Sequence, residues 1–146
     1  MAIIRNYTTV EQSRKLAKIL PSESADMHYS KDFDGSWFVD LAEYTSVKIP
    51  KYVDKVEEHL IPCWSLTALL ATLPNEIITD NRFECHYQID IRKYDGGDNT
   101  TLYQIAYGND RGLSGSWHDM INTGEKENLV DCCVQMILEL NKFKML

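Results

Sequence analysis

The sequence predicts an α+β domain, with an antiparallel sheet of about three to five strands packed with about three helices. Three observations carry this. Phe83, Cys85, Tyr87, Ile89 and Ile91 alternate with Glu84, His86, Gln88, Asp90 and Arg92, the period of a strand with one wet face. Leu129, Cys133, Met136, Leu140 and Phe143 recur at spacings of four and three, the period of an amphipathic helix. Between Glu58 and Glu76 no residue is charged, counting His59 as neutral. Pro62 suits a first helical turn and Pro74 a stop, so Pro62–Pro74 reads as the most buried helix.

The elements follow in order. Thr8-x-x-Glu11 resembles a capping box and opens a first helix, with Val10, Ser13, Ala17 and Leu20 inward and Pro21 as its end. Arg14, Lys15 and Lys18 lie opposite; a solvated face explains them better than an anion site. Asp34-Gly35 signals a hairpin with Met27, Tyr29 and Lys31 on one side, followed by a strand at Trp37-Phe38-Val39-Asp40-Leu41. Val47–Ile49 reads as a short strand and Lys51–Leu60 as a short helix. Beyond the 83–94 strand, Thr101–Gly108 returns with Tyr103, Ile105 and Tyr107 inward. Asn109–Gly115 is a turn and Ser116–Ile121 a third strand. The last helix is expected from Asn122 or Thr123, with Glu125 and Glu127 in its first turns and Lys142 and Lys144 near its end.

Length and charge narrow the function. A chain of 146 residues fits one domain, 1–146. A net charge of −7 argues against binding nucleic acid through its phosphates and favours an acidic soluble protein. No signal peptide is expected, nor a membrane span, since Pro62–Pro74 is too short. Four cysteines without a C-x-x-C pair read as free thiols of a reducing cytoplasm.

Candidate chemistry is sparse. His28, His59, His86 and His118 lie in separate segments with no metal-ligand spacing, so neither metal nor cofactor is expected. The glycines at 96–97, 108, 112 and 115 match no phosphate-loop pattern. Cys63, placed in a first helical turn, would have its thiol pKa lowered there. With His86 on a strand and Gln104 or Asp90 beyond, the order resembles papain-like cysteine hydrolases. That family's Cys-Gly-Ser-Cys-Trp motif is absent, the Cys63-to-His86 interval is short, and a packed thiol accounts for Cys63 as well. Tyr94, Tyr103 and Trp117 flank the hairpin loops and are the candidate binding residues.

Three runs carry a further resemblance: Tyr7-Thr8-Thr9-Val10-Glu11-Gln12-Ser13, Ser24-Ala25-Asp26-Met27, and Pro62-Cys63-Trp64-Ser65-Leu66-x-Ala68-Leu69-Leu70 with Leu73-Pro74. Together they resemble a family of small uncharacterised proteins borne on prophages and mobile elements of gut anaerobic bacteria. The likeness continues loosely through Asn128 to Ile137. It implies a bacterial cytoplasm and an accessory gene, with no activity or catalytic residue to carry over. In that setting the expected function is non-enzymatic binding to a protein partner, as an inhibitor, decoy or immunity factor. A cysteine hydrolase using Cys63 and His86 and a structural or virion component are the alternatives.

Overall fold

The computed structural model describes residues 5–79, 84–110 and 115–146. The expected α+β class holds, and every strand pairing is antiparallel. The chain divides into two compact units, Arg5–Thr72 and Leu73–Leu146, each with its own sheet in place of the shared one expected.

The first unit contains α1 (Val10–Leu16), β1 (Met27–Lys31), β2 (Trp37–Asp40), β3 (Leu60–Cys63) and α2 (Leu66–Thr72). Its sheet has the order β2-β1-β3. Met27, Tyr29, Ile61 and Cys63 form its buried cluster, with Tyr7, Val10, Trp37 and Val39 packed against them. The α1 cap is one residue later than expected: Thr9 accepts from Gln12 N–H, and the Gln12 side chain accepts from Thr9 N–H. Thr8 is instead fully buried. The inward stripe is Ser13, Leu16 and Leu20, and Ala17 is exposed. Residues 47–49, expected as a strand, are irregular and follow a 3₁₀ turn at 44–46, and the expected 51–60 helix is reduced to a 3₁₀ turn at 56–58.

Pro62–Pro74 is not one helix. Pro62 and Cys63 end β3, and α2 starts three residues later. A buried run of four apolar residues cannot be told from a buried helix by periodicity alone. The cap is Ser65, whose Oγ accepts from Ala68 N–H at 3.1 Å. Nor is this the most buried helix, since only Leu69 of α2 is buried.

The second unit contains β4 (Glu76–Thr79), β5 (Cys85–Asp95), β6 (Thr101–Asp110), β7 (Trp117–Asn122) and α3 (Leu129–Lys142). Its sheet runs β4-β5-β6-β7. The expected 83–94 strand is recovered as β5; Phe83 lies outside the described residues, as do 111–114 of the expected 109–115 turn. Helix α3 begins at Leu129, not near 122, because residues 117–122 are strand and Lys126 makes a bridge to Tyr103. Seven α3 residues are buried, more than in either other described helix. α3 packs on β6, where Ile105 and Tyr107 are fully buried, and the Tyr107 hydroxyl donates to Pro74 O.

Candidate functional site on the open face of the four-stranded sheet

Strand alternation sorts the second unit's polar residues. Ile91 is paired with Ile105 and Ile89 with Tyr107, so these odd-numbered positions share the face on which α3 packs. Arg92 is paired with Gln104, Asp90 with Ala106, Ala106 with Asn122, and Gly108 with Asp119. These occupy the opposite, open face, together with Tyr94. A bulge after Tyr107 inserts one extra residue of β7 and keeps Asp119 and Asn122 on that face.

Central strand β6 presents small residues there. Ala106 and Gly108 are buried although they belong to the open face, and the Trp117 indole of β7 lies against Gly108. The fit at Gly108 is tight: a Cβ built on it would stand 2.3 Å from His118 O and 2.7 Å from Trp117 Nε1. Glycine is required here by close approach, not by an unusual backbone angle.

Arg92 ties three strands together. Its Nε donates to Asp90 Oδ2 at 2.7 Å, and its Nη1 to Gln104 Oε1 at 3.2 Å. Nη1 and Nη2 grip Asp119 in a fork, at 2.9 and 2.6 Å. Trp117 Nε1 donates to Asp119 Oδ1 at 2.7 Å, and the Tyr94 hydroxyl to Gln104 Oε1 at 3.1 Å. Hydrogen bonds from Arg92 hold the Asp119 carboxyl below its usual value, with the Trp117 bond adding to the effect. The same pairing pushes the Arg92 guanidinium higher still.

Chemically, this is a pre-ordered patch in which two carboxylates, Asp90 and Asp119, share one guanidinium. Four N–H directions of Arg92 are already committed, which leaves a poor seat for an anion. Gln104 Oε1 accepts from both Arg92 and Tyr94, so it is not placed to orient a catalytic imidazole. Tyr94 and Trp117 remain 37% exposed each, their polar tips fixed and part of each ring open to a partner. Beside Tyr94, an open depression at the β5–β6 hairpin is lined by Lys93, Asp95, Asn99, Thr100 and Thr101.

Two of the three aromatic candidates, Tyr94 and Trp117, thus share a face with Gln104. Tyr103 lies on the other face, its backbone paired with Lys126 and its carbonyl accepting from Cys132 Sγ at 3.2 Å. Arg92 and Asp119 were missed as site residues. The available signal was an arginine on the wet face of a strictly alternating strand, two residues after an aspartate on the same face.

The cysteine–histidine arrangement loses its basis. Cys63 lies on β3, not at a helix start, so no helix dipole acts on it as expected. It is 0% exposed, and burial pushes its thiol pKa up. Its Sγ donates to Thr8 O at 3.7 Å and contacts Thr8 Oγ1 at 3.6 Å. His86 is bonded within its own unit, Nδ1 to Glu76 Oε1 at 2.8 Å.

The runs that carry the family resemblance meet in one hydrogen-bonded seam of the first unit. Thr8 N–H donates to Trp64 O at 3.0 Å, Trp64 N–H donates to Thr8 Oγ1 at 3.2 Å, and Thr8 Oγ1 shares a hydrogen with Ser13 Oγ at 2.7 Å. Tyr29 donates its hydroxyl to Thr8 O at 2.7 Å. Asp26 accepts from Ser65 N–H at 2.9 Å and from the Ser65 hydroxyl, and Trp64 Nε1 donates to Ser24 Oγ at 2.9 Å. Their structural work is to satisfy the buried backbone where β3 leads into α2.

Among the described residues, no three His, Cys, Asp or Glu side chains converge as a metal site would require. No described helix is long and apolar enough to cross a membrane. No family model, curated protein or solved structure matches this chain.

Proposed function

We propose that this chain is a non-enzymatic protein-binding protein that engages its partner through the open face of β5, β6 and β7. The setting is the one implied by the sequence resemblance: an accessory factor of a prophage or mobile element, acting in a bacterial cytoplasm. The observation that carries the reading is the pair of half-open aromatics, Tyr94 and Trp117, anchored by their polar atoms to the Arg92–Asp119–Gln104 network. Tyrosine, tryptophan and arginine dominate binding hot spots, and rigid aromatics lose little entropy when a partner covers them. The hydrolase alternative needs an accessible thiolate, and Cys63 is buried.

The test is affinity capture from a lysate of the host bacterium, with wild type and a Tyr94→Ala/Trp117→Ala variant immobilised in parallel. The expected result is a partner retained near one-to-one by wild type and lost from the folded variant. Equal capture by both proteins would refute the assignment to this face.

A further inference from the structure

A separate observation, in the first unit, carries an inference beyond that reading. β2 is the outer strand of its sheet and is bonded to β1 only. Backbone groups along a strand point alternately to its two sides. Lys31 N–H donates to His59 O toward β3, and Asp32 N–H donates to Ser36 O toward β2. The alternation makes Ser30–Phe38 and His28–Asp40 the hydrogen-bonded pairs of the β1–β2 ladder. It therefore turns the N–H and C=O groups of Trp37 and Val39 outward. Neither residue makes a backbone bond to any other described segment.

This edge is short and carries one charge, Asp40, but lacks the stronger protections. Residues 37–40 contain no lysine or proline, and the pairing with β1 has no bulge. Trp37 and Val39 pack inward against the core cluster. Phe38 is half-exposed on the outer side, and Leu41 and Phe33 are exposed beyond the strand ends. A strand laid along the edge would find open donors and acceptors, an inner row continuing the core, and an outer aromatic.

Charge selects the occupant. Asp32, Asp34, Asp40 and Glu43 are all exposed around the edge. Arg14 and Lys31 lie over the Trp37 ring, each 5.6 Å from its centre. A second copy would bring two acidic edges together, whereas a basic segment would find carboxylates opposite its own cations. We propose that β2 accepts an extended basic segment of another protein as an added antiparallel strand. Its apolar side chains would lie opposite Trp37, Phe38 and Val39, and Lys or Arg opposite Ser36 and Asp40.

The test uses the full chain and a capped, fluorescently labelled Lys-Lys-Val-Ile-Val-Lys-Lys peptide, read by anisotropy. The same peptide with every Lys replaced by Glu is the control. Val39→Pro removes an outward N–H, a position where an edge strand tolerates proline; Asp40→Lys reverses an exposed charge. Circular dichroism establishes that each variant is folded. Expected are saturable binding of the Lys peptide to wild type and binding weaker by about tenfold or more in each variant. The Glu peptide should be ignored by wild type and gain affinity for Asp40→Lys. Absence of saturable binding, equal binding of the two peptides, or undiminished binding by Val39→Pro would overturn the proposal. So would a concentration-dependent dimer abolished by Val39→Pro, since that would give the edge to a second copy.

Discussion

Replacing Gly108 by alanine tests the packing that fixes the candidate site. The added methyl would stand 2.3 Å from His118 O and 2.7–2.8 Å from the Trp117 indole. A relaxed carbon–oxygen contact is about 3.3 Å or longer, so β7 must shift from β6 by about 1 Å. The clash is with backbone and a ring anchored to Asp119, so a rotamer change cannot relieve it. Overpacking of this kind costs about 1–3 kcal/mol. Weakening one rung of the β6–β7 ladder adds about 0.5–1.5 kcal/mol. Loss of glycine's freedom in the unfolded chain offsets about 0.4–1 kcal/mol. The net expectation is a destabilisation of about 2 kcal/mol, within bounds of about 0.5–4 kcal/mol, read as a lower denaturant midpoint in circular dichroism. Thermal unfolding should fall by about 4–10 °C for a chain of this size. Native tryptophan emission should also change as Trp117 leaves its bond to Asp119. A loss under about 0.5 kcal/mol with unchanged emission would refute the close-approach reasoning.

Three further outcomes follow from single side chains. Cys63, fully buried with a raised thiol pKa, should react slowly with iodoacetamide at pH 7 in the native protein and normally after unfolding; rapid native labelling would restore the nucleophile reading. Leu69→Ala should cost about 2–5 kcal/mol in chemical denaturation, because Leu69 is fully buried and its loss leaves a cavity. Asp119 has a folded pKa below its unfolded value, so its contribution is present above about pH 3.9 and is lost as pH falls through the lower folded value. Asp119→Asn should therefore flatten the acid limb of a stability-versus-pH curve, and an unchanged acid limb would show that the Arg92 pair contributes nothing there.

The parts of the fold legible in the sequence are those where one periodicity runs uninterrupted. β5 and α3 were visible because a half-buried strand and a sheet-packed helix each write a long pattern. Boundaries failed where two signals overlapped. Thr8 and Thr9 both head a possible capping box, with Glu11 and Gln12 respectively, and only burial shows that Thr8 is committed to Trp64 and Ser13. The uncharged stretch before Pro74 joins a buried strand to a helix, and the break is marked by Ser65 alone. Glu125 and Glu127 mimic the acidic first turn of a helix and place the expected start of α3 earlier than Leu129. The site was half legible. Tyr94, Gln104 and Trp117 were singled out, but their meeting depends on the β5–β6–β7 register and on the bulge after Tyr107, which no local pattern encodes. Strand alternation alone gives Arg92 only an outward polar place, and its role appears once Asp119 lies beside it.

The most direct measurement is hydrogen exchange of the protein, alone and bound to the partner captured from the lysate. Slowed exchange in 92–94, 102–104 and 117–119 on partner binding, lost together with the complex in the Tyr94→Ala/Trp117→Ala variant, is the predicted result. A stable complex that leaves exchange in these segments unchanged would contradict the assignment of binding to the open face.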